Sequence, residues 1–383
     1  MIKKIIYLFI LITLSLITLV IIYLSFVGLE TSKFNKIVIN KIEEIDPNIQ
    51  LSIEEIKIKF DLEKIQLHFS TVEPKVVYQN IKIPITEISI YSKISSVLKS
   101  KNEINQAIVL FQNFNTKDVQ KLAVRIKPSN FKTYLLNNLN NGRIEKILID
   151  VKLDKDLNIV DYKVNGSLKK INVKILDNLI IQDVSLNFIS DKNLTLINSV
   201  NANYQGVTIT NGSLSLKKKK EIEIEGKFNS QFNFNDSEIN NLFSKFNLSF
   251  LEKNKVNAQG SLLHEFMLKT DQNFKLIDYE YKSNGNILES KIVLKESLKS
   301  VFVEKPINKI SIYKTSVEIN LNKKNNNFLT LDGIYSSDNS EKKKFKVETQ
   351  SDALRRQKKT KSADKKAAQG MFLFSSLSLF TLQ

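Results

Sequence analysis

The residues best suited to chemistry in this chain are two histidines, His68 and His264, because cysteine is absent. Without cysteine there is no thiolate nucleophile and no thiolate metal ligand. His68 stands between Leu67 and Phe69 in an alternating pattern, which places it on the polar face of a strand. His264 lies in the apolar stretch LLHEFML, which is typical of an interior histidine with satisfied hydrogen bonds. The sequence therefore predicts no histidine-based catalytic site, no metal site and no cofactor.

Carboxylates are frequent, and two of them recur in similar surroundings. Asp161 lies in DLNIVDYKVNGSL, and Asp278 lies in NFKLIDYEYKSNGNI. We interpret both as structural, because most carboxylates here fall at the solvent-facing positions of alternating strands. A nucleophile elbow, a P-loop, a dinucleotide fingerprint and HExxH do not occur in the sequence. An anchored enzyme such as a glycosidase therefore has little support, and we predict a protein that is not an enzyme.

An uncharged apolar run from Ile5 to Leu29 determines the organisation of the rest. A helix needs about 20 residues to cross a hydrocarbon core of about 30 Å, so this run predicts a transmembrane anchor at 5–29. Secretory signals have an apolar core of only about 7–15 residues, which favours an uncleaved anchor over a cleaved signal. Lys3 and Lys4 precede the run, and Lys33 and Lys36 follow it, so charge discriminates poorly between orientations. The short N-terminal stub favours a cytoplasmic N-terminus with the body exported, which is a single-pass inner-membrane protein with a periplasmic C-terminal body.

The formal net charge of +17 raises the question of nucleic-acid binding. The lysines are scattered over most of the chain at the outward positions of strands. Aromatic residues are not interleaved with them as base stacking requires. We therefore predict no nucleic-acid partner, and interpret the charge as a solvated lysine coat that could also attract anionic lipids.

Most of the chain after the anchor alternates between apolar and polar residues, which is typical of strands with one apolar face. A few short helices are predicted at 30–46, 92–101, 128–141 and 236–247, with Thr31 or Ser32 capping the first and Gly142 ending the third. The fold class is therefore mainly β behind a transmembrane helix. The strands could form a closed sandwich in which two apolar faces meet, but the architecture we predict is an elongated and curved antiparallel groove. Its apolar inner wall would hold lipid acyl chains. The candidate groove residues are Ile147, Ile149, Val151, Leu153, Val160, Tyr162, Val164, Ile171, Val173, Val184, Leu186 and Phe188.

A glycine step recurs in these strands as VNGSL, TNGSL, IEGKF, AQGSL and LDGIY. Asn-Gly and Asp-Gly are common hairpin turns, so each step could be a turn. An apolar residue follows the glycine in most cases and the alternation continues, which equally fits a glycine inside a long, kinked strand. The sequence leaves both interpretations open.

The composition changes from about Glu341, where lysine, arginine and alanine cluster and no period survives. The stretch predicts a basic, disordered tail, either native or the end of a truncated or frame-shifted longer chain. The predicted domains are a cytoplasmic stub at 1–4, the anchor at 5–29, a membrane-proximal α+β module at 30–143, a β-rich groove module at 144–340 and the tail at 341–383.

An anchor followed by TSKFNKIVINKIEEI, IQLSIEEIKIKF and a strand-rich body with glycine steps resembles the AsmA-like proteins of the bacterial envelope, including YhdP-like and TamB-like members. The resemblance covers roughly residues 1–340 and has no invariant motif. It implies an inner-membrane anchor, a periplasmic β-groove and a role in phospholipid transport or outer-membrane biogenesis. It carries over no catalytic residue, and the chain is short beside the largest members.

Two functions from different classes follow from these observations. The first is a lipid conduit whose partners are inner-membrane lipids and phospholipid acyl chains. The second is an envelope assembly or scaffolding factor that binds other envelope proteins by strand addition at its sheet edges.

Overall fold

The computed structural model describes residues 2–45, 47–94, 104–125, 138–176, 179–237, 239, 254–272, 275–298, 306–323, 327–338 and 340–350. Of these residues, 69% lie in strands and 15% in helices. The prediction of a mainly β, antiparallel fold behind an apolar helix is confirmed.

The main helices are α1 (Ile2–Phe26), α2 (Asn35–Ile45) and α3 (Thr116–Arg125). The first ten strands are β1 (Leu29–Thr31), β2 (Ile49–Ser52), β3 (Ile56–Asp61), β4 (Gln66–Val72), β5 (Lys75–Tyr78), β6 (Ile81–Ile83), β7 (Ile85–Lys93), β8 (Ile104–Asn115), β9 (Leu139–Asn140) and β10 (Arg143–Leu153). The remaining strands are β11 (Ile159–Leu176), β12 (Leu179–Asp191), β13 (Leu194–Tyr204), β14 (Val207–Lys218), β15 (Ile222–Phe234), β16 (Lys255–Thr270), β17 (Leu276–Leu298), β18 (Ile307–Asn322), β19 (Phe328–Ser337) and β20 (Lys343–Gln350).

Seventeen of the described strands form one sheet, and β2, β5 and β6 form a second. Residue contacts divide the chain into two compact units. Unit 1 comprises Met1–Ile126, Arg143–Ser167 and Ile189–Lys192, and unit 2 comprises Lys127–Gly142, Leu168–Phe188 and Asn193–Gln383. Strand β10 belongs to unit 1 because it pairs along its length with β8, so the contacts do not divide the chain at the predicted boundary of 143/144.

Helix α1 is long and apolar enough to cross a membrane. It ends earlier than the predicted 5–29 span, because the backbone amides of Val27 and Gly28 both bond to the carbonyl of Tyr23 at 2.8 and 3.0 Å. Gly28 then takes a left-handed conformation with a φ of 83°, which ends the helix at little steric cost. The next residue, Leu29, already belongs to β1.

Helix α2 begins at Asn35, later than Thr31 or Ser32 would allow as its cap, because residues 29–31 pair with β3. The helix packs on the small sheet around a buried cluster of Leu51, Ile53, Ile56 and Val76. The predicted helix at 128–141 lies mostly outside the described residues, as do the helices at 92–101 and 236–247 beyond their first residues. Gly142 does not end a helix in the structure, since it connects β9 to β10.

The Asn35 side chain ties the start of α2 to the loop between β2 and β3. Its amide donates hydrogen bonds to the carbonyls of Ile53 at 2.9 Å and Glu54 at 2.8 Å. Replacing Asn35 by Ala leaves these carbonyls without donors, so we expect a loss of about 1–3 kcal/mol in the free energy of unfolding. Chemical denaturation measures the loss. Lys36→Ala, at the neighbouring exposed position, should change stability by less than about 0.5 kcal/mol.

Two further expectations are wrong. Helix α3 follows β8 directly, where the sequence analysis placed no helix. Residues 343–350 are not part of a disordered tail, because β20 pairs with β19 over eight residues from Tyr335↔Lys343 to Phe328↔Gln350. The alternating residues of KKFKVETQ supply this strand, and residues 351–383 lie outside the described part.

The glycine steps lie inside strands and are not turns. Gly212, Gly226, Gly260 and Gly333 fall within β14, β15, β16 and β19. At Gly226 an added Cβ would stand 2.2 Å from Cζ of Phe266. The glycine therefore makes room for an aromatic ring from the next strand. This favours a glycine inside a long strand over a hairpin turn.

Four residues with left-handed backbone lie on successive strands of unit 2, namely Lys170, Asp183, Ser199 and Asn211 on β11 to β14. The pairing register shifts beside Ser199 and Asn211, as expected at β-bulges, which bend a strand and increase its twist. The buried side chains also change phase at these points. In β12, for example, Ile181 and Val184 are both buried on either side of Asp183.

Candidate functional site

An apolar wall covers one face of five neighbouring strands in unit 1. The strand pairings place Ile58, Phe69, Ile90, Ala107 and Val151 in one row across β3, β4, β7, β8 and β10. Alternation puts the residues two positions away on the same face. The wall beyond the small sheet consists of Phe60, Leu67, Ile90, Ala107, Val109, Phe111, Ile147, Ile149, Val151 and Leu153.

Every one of these ten side chains is partly buried, and none is fully buried. The side of the wall nearest β3 differs from the β8 and β10 side, since Ile58, Phe69 and Ile88 pack against the cluster under α2. The β8 and β10 members of the wall belong to neither of the two buried clusters of the described residues. Their remaining exposed apolar area costs about 25 cal/mol per Å² in water, and covering it with an apolar ligand would recover that free energy.

The wall begins at the end of the sheet that adjoins α1. Leu29 pairs with Ile58, and Phe60 lies two residues further in the direction of the helix. Four rows run from Phe60 to the row of Phe111 and Ile147, which at about 3.3 Å per residue gives a length of about 20 Å. One leaflet of a bilayer is about 15 Å of hydrocarbon, so the wall is long enough to cover an acyl chain that spans one leaflet.

The twelve predicted groove residues divide into three groups. Ile147, Ile149, Val151 and Leu153 lie on the wall. Val160 and Tyr162 are exposed on β11, at 54% and 36% of their maximal area, and Val164 is partly buried beyond them. Ile171, Val173 and Val184 are packed in a core and leave no open surface, with Leu186 beside them and Phe188 partly buried further along β12.

The wall residues of β8 were not predicted from the sequence. INQAIVLFQNF has apolar residues on both phases, so alternation alone does not indicate which phase joins the wall.

The core of unit 2 is filled by its own side chains. Twelve buried residues of β11 to β16, including Ile171, Ile224 and Phe266, form one cluster. A cavity between Val200, Ile209 and Phe228 has a volume of about 10 Å³, which is about the least that holds one water. An acyl chain does not fit in this cavity.

His264 lies in unit 2 at the centre of a buried polar group. Its Nε2 is 2.7 Å from the Ser230 hydroxyl and its Nδ1 is 2.8 Å from the Tyr281 hydroxyl, while Phe228 stacks on the ring at 4.5 Å. Burial lowers the pKa of His264 to about 4 and raises the pKa of Tyr281 to about 12, so both are neutral at pH 7. A hydroxyl at this distance from an imidazole is the geometry of an activated nucleophile. The His264 side chain has no exposed surface, however, and a substrate has no access to it.

His68 lies on the face of β4 opposite the wall, as its phase predicts. It is partly buried rather than fully solvated, and its ring stacks on Tyr91 with centroids 4.6 Å apart. Lys64 lies over the same Tyr91 ring at 4.4 Å. Burial lowers the pKa of His68, with Glu87 and Asp61 opposing the shift.

The two recurring carboxylates have structural contacts. Asp161 pairs with Lys152 at 3.3 Å, and the Asp278 carboxylate accepts a hydrogen bond from the backbone amide of Tyr279 at 2.9 Å. Among the described residues there is no cluster of histidine and carboxylate side chains that could hold a metal ion.

Fold and site together define a mainly β protein with one apolar helix long enough to cross a membrane and an apolar wall beside it. No protein-family model, no curated protein and no solved structure matches the chain.

Proposed function

We propose that this protein is a membrane-anchored, exported lipid-binding protein whose apolar wall receives phospholipid acyl chains from the inner membrane. Helix α1 is the anchor, the strand-rich body lies in the periplasm, and the protein serves phospholipid transport or outer-membrane biogenesis. The observation that carries the proposal is the partly buried apolar wall on β3, β4, β7, β8 and β10, which starts where α1 ends. Acyl chains could cover this wall without any catalytic step.

The packed core of unit 2 limits the proposal to the wall. A lipid that left the membrane end would contact β8 and β10, where the side chains keep exposed area. We assign no lipid to the interior positions of Ile171, Val173 and Val184, since neighbouring side chains already fill that space.

Photo-crosslinking tests the wall directly. A photoreactive phenylalanine analogue replaces Ile149 on the wall or, as the control, Lys152 on the opposite face of the same strand, whose side chain is 62% exposed. The full chain is irradiated in native membranes, and adduct masses are measured after purification. We expect phospholipid adducts at position 149 and few at position 152, because only the wall offers apolar cover.

Equal lipid labelling at both positions would contradict a lipid-binding wall, as would no lipid labelling at 149. Protein adducts without lipid adducts would instead favour the scaffolding function. As a second measurement, Ile149→Glu should lower the phospholipid recovered with the protein in mild detergent, because a carboxylate on the wall would have to be desolvated beside the acyl chain. Lys152→Glu is the matched control and should leave the recovery unchanged.

A further inference from the structure

Two hairpin tips of unit 1 carry exposed apolar side chains at the end of the sheet where α1 lies. The β3–β4 tip exposes Leu62 at 54% and Ile65 at 66%, and the β10–β11 tip exposes Leu157 at 43% and Ile159 at 64%. We propose that these tips, besides α1, insert into the same membrane interface, so that unit 1 contacts the bilayer at three points, α1 and the two tips. This inference depends on the part of the proposed function that places α1 in a membrane.

The strand register places both tips at one level. Leu29 pairs with Ile58, so the chain that leaves β1 toward α1 runs beside the end of β3. Val151 shares a row with Ile58, and residues 61 and 154 lie three positions further along their strands. Both tips are therefore about 10 Å beyond Leu29 on the side of α1.

Burial along α1 supports this placement. Residues 4–20 of the helix are exposed, whereas Ile21, Leu24 and Ser25 near its C-terminal end are partly buried on one face. The helix contacts β3. The end of β3 thus reaches the last turns of the apolar helix, and its tip extends to a depth where α1 would be leaving the membrane.

The residue types at two tip positions disfavour the backbone conformation that they adopt there. Ile65 has a φ of 51° and Leu157 a φ of 63°, a left-handed conformation that asparagine and glycine adopt far more readily, and that is a genuine outlier for a β-branched residue such as isoleucine. Neither side chain is buried, so core packing does not explain them. A membrane that covered these side chains would explain their type and their exposure together.

The charges of the tips fit insertion to the headgroup level. Asp61 and Asp154 accept backbone hydrogen bonds within their turns, from Lys64 at 3.0 Å and from Asn158 at 2.8 Å. The two tips together hold four carboxylates, Asp61, Glu63, Asp154 and Asp156, against the two lysines Lys64 and Lys155, so each tip is slightly acidic. Apolar contact rather than attraction to anionic lipid therefore drives the interaction, so zwitterionic lipid is sufficient and salt should have little effect.

The absence of tryptophan from the sequence makes a clean experiment possible. Single variants Ile65→Trp and Leu157→Trp of the full chain are reconstituted in phosphatidylcholine vesicles with brominated acyl chains, which quench tryptophan that lies close to them. Interfacial side chains sit about 5–10 Å into the headgroup boundary, so we expect emission to fall about twofold at both positions, with or without added salt. Leu14→Trp in α1 reports whether the anchor itself is inserted in the bilayer.

Val124→Trp is the matched control, since Val124 is 59% exposed on α3. This helix follows the opposite end of β8, about 35 Å from the tips. The emission of the tryptophan at position 124 should therefore not change. Quenching at position 14 without quenching at 65 and 157 would contradict insertion of the tips and would support insertion of α1. The absence of quenching at all three positions would overturn both.

A stability measurement separates membrane contact from a structural role. The double variant Ile65→Asn, Leu157→Asn places residues that tolerate left-handed backbone at both tips. We expect its melting temperature in detergent to rise by roughly 2–4 °C, because strain is relieved and no core contact is lost. A fall in melting temperature would mean that the two side chains serve the fold, which would contradict the proposal.

Discussion

Lowering the pH from 7 to 4 is expected to reduce the free energy of unfolding by about 3 kcal/mol through His264 alone. Burial lowers the pKa of His264 from 6.5 to about 4 in the folded chain. Between these values the unfolded chain binds a proton that the folded chain does not. The His264 contribution to stability is therefore fully present above about pH 6.5 and is lost as the pH falls toward 4.

Urea denaturation at several pH values measures this loss. In His264→Gln the titrating group is gone, so the stability curve should be flatter between pH 6.5 and 4, although the variant is less stable at pH 7. His68→Gln is the comparison, because His68 is also shifted downward by burial but lies in the other unit. His68→Gln should keep the part of the pH dependence of the free energy of unfolding that comes from His264. If His264→Gln kept the full wild-type pH dependence, the loss of stability at low pH would have to come from other groups.

Alternation in the sequence predicts where strands lie but not how long each strand continues. Val160 to Val164 and Ile171 to Val173 have opposite phases, so the sequence pattern predicts two strands. The structure contains one strand, β11, in which a left-handed residue at Lys170 shifts the phase. Lysine has no preference for a left-handed backbone, so the residue type gives no local signal for such a bulge.

The candidate site was predictable in part for a related reason. The apolar phase of β10 identified Ile147, Ile149, Val151 and Leu153 as residues of one face. The same pattern at Ile171, Val173 and Val184 gives a packed core, because a pattern indicates which face is apolar but not what covers it. His264 was correctly interpreted as an interior histidine, because an apolar segment offers it partners only from adjacent strands, here Ser230 and Tyr281.

Replacing Gly285 by Ala is expected to destabilise unit 2 by about 3 kcal/mol or more. Gly285 lies in β17 between Leu262 of β16 and Val317 of β18. An added Cβ would meet the backbone carbonyl oxygen of Ser261 at 2.1 Å and Cα of Leu262 at 2.8 Å. Because both atoms belong to the backbone, no side-chain rotation relieves the overlap, and two paired strands must separate.

Gly226→Ala provides the contrast that tests this explanation. Its added Cβ would overlap the Phe266 ring and Cδ2 of Leu214, which are side-chain atoms. Trimming the ring in Gly226→Ala, Phe266→Leu should therefore recover part of the loss, whereas Leu262→Ala should not rescue Gly285→Ala. Asn284→Ala, at an exposed neighbour, should cost less than about 0.5 kcal/mol in the same denaturation experiment. Rescue of Gly285→Ala by Leu262→Ala would show that side-chain crowding rather than strand spacing sets the cost, since that change leaves the backbone of β16 in place.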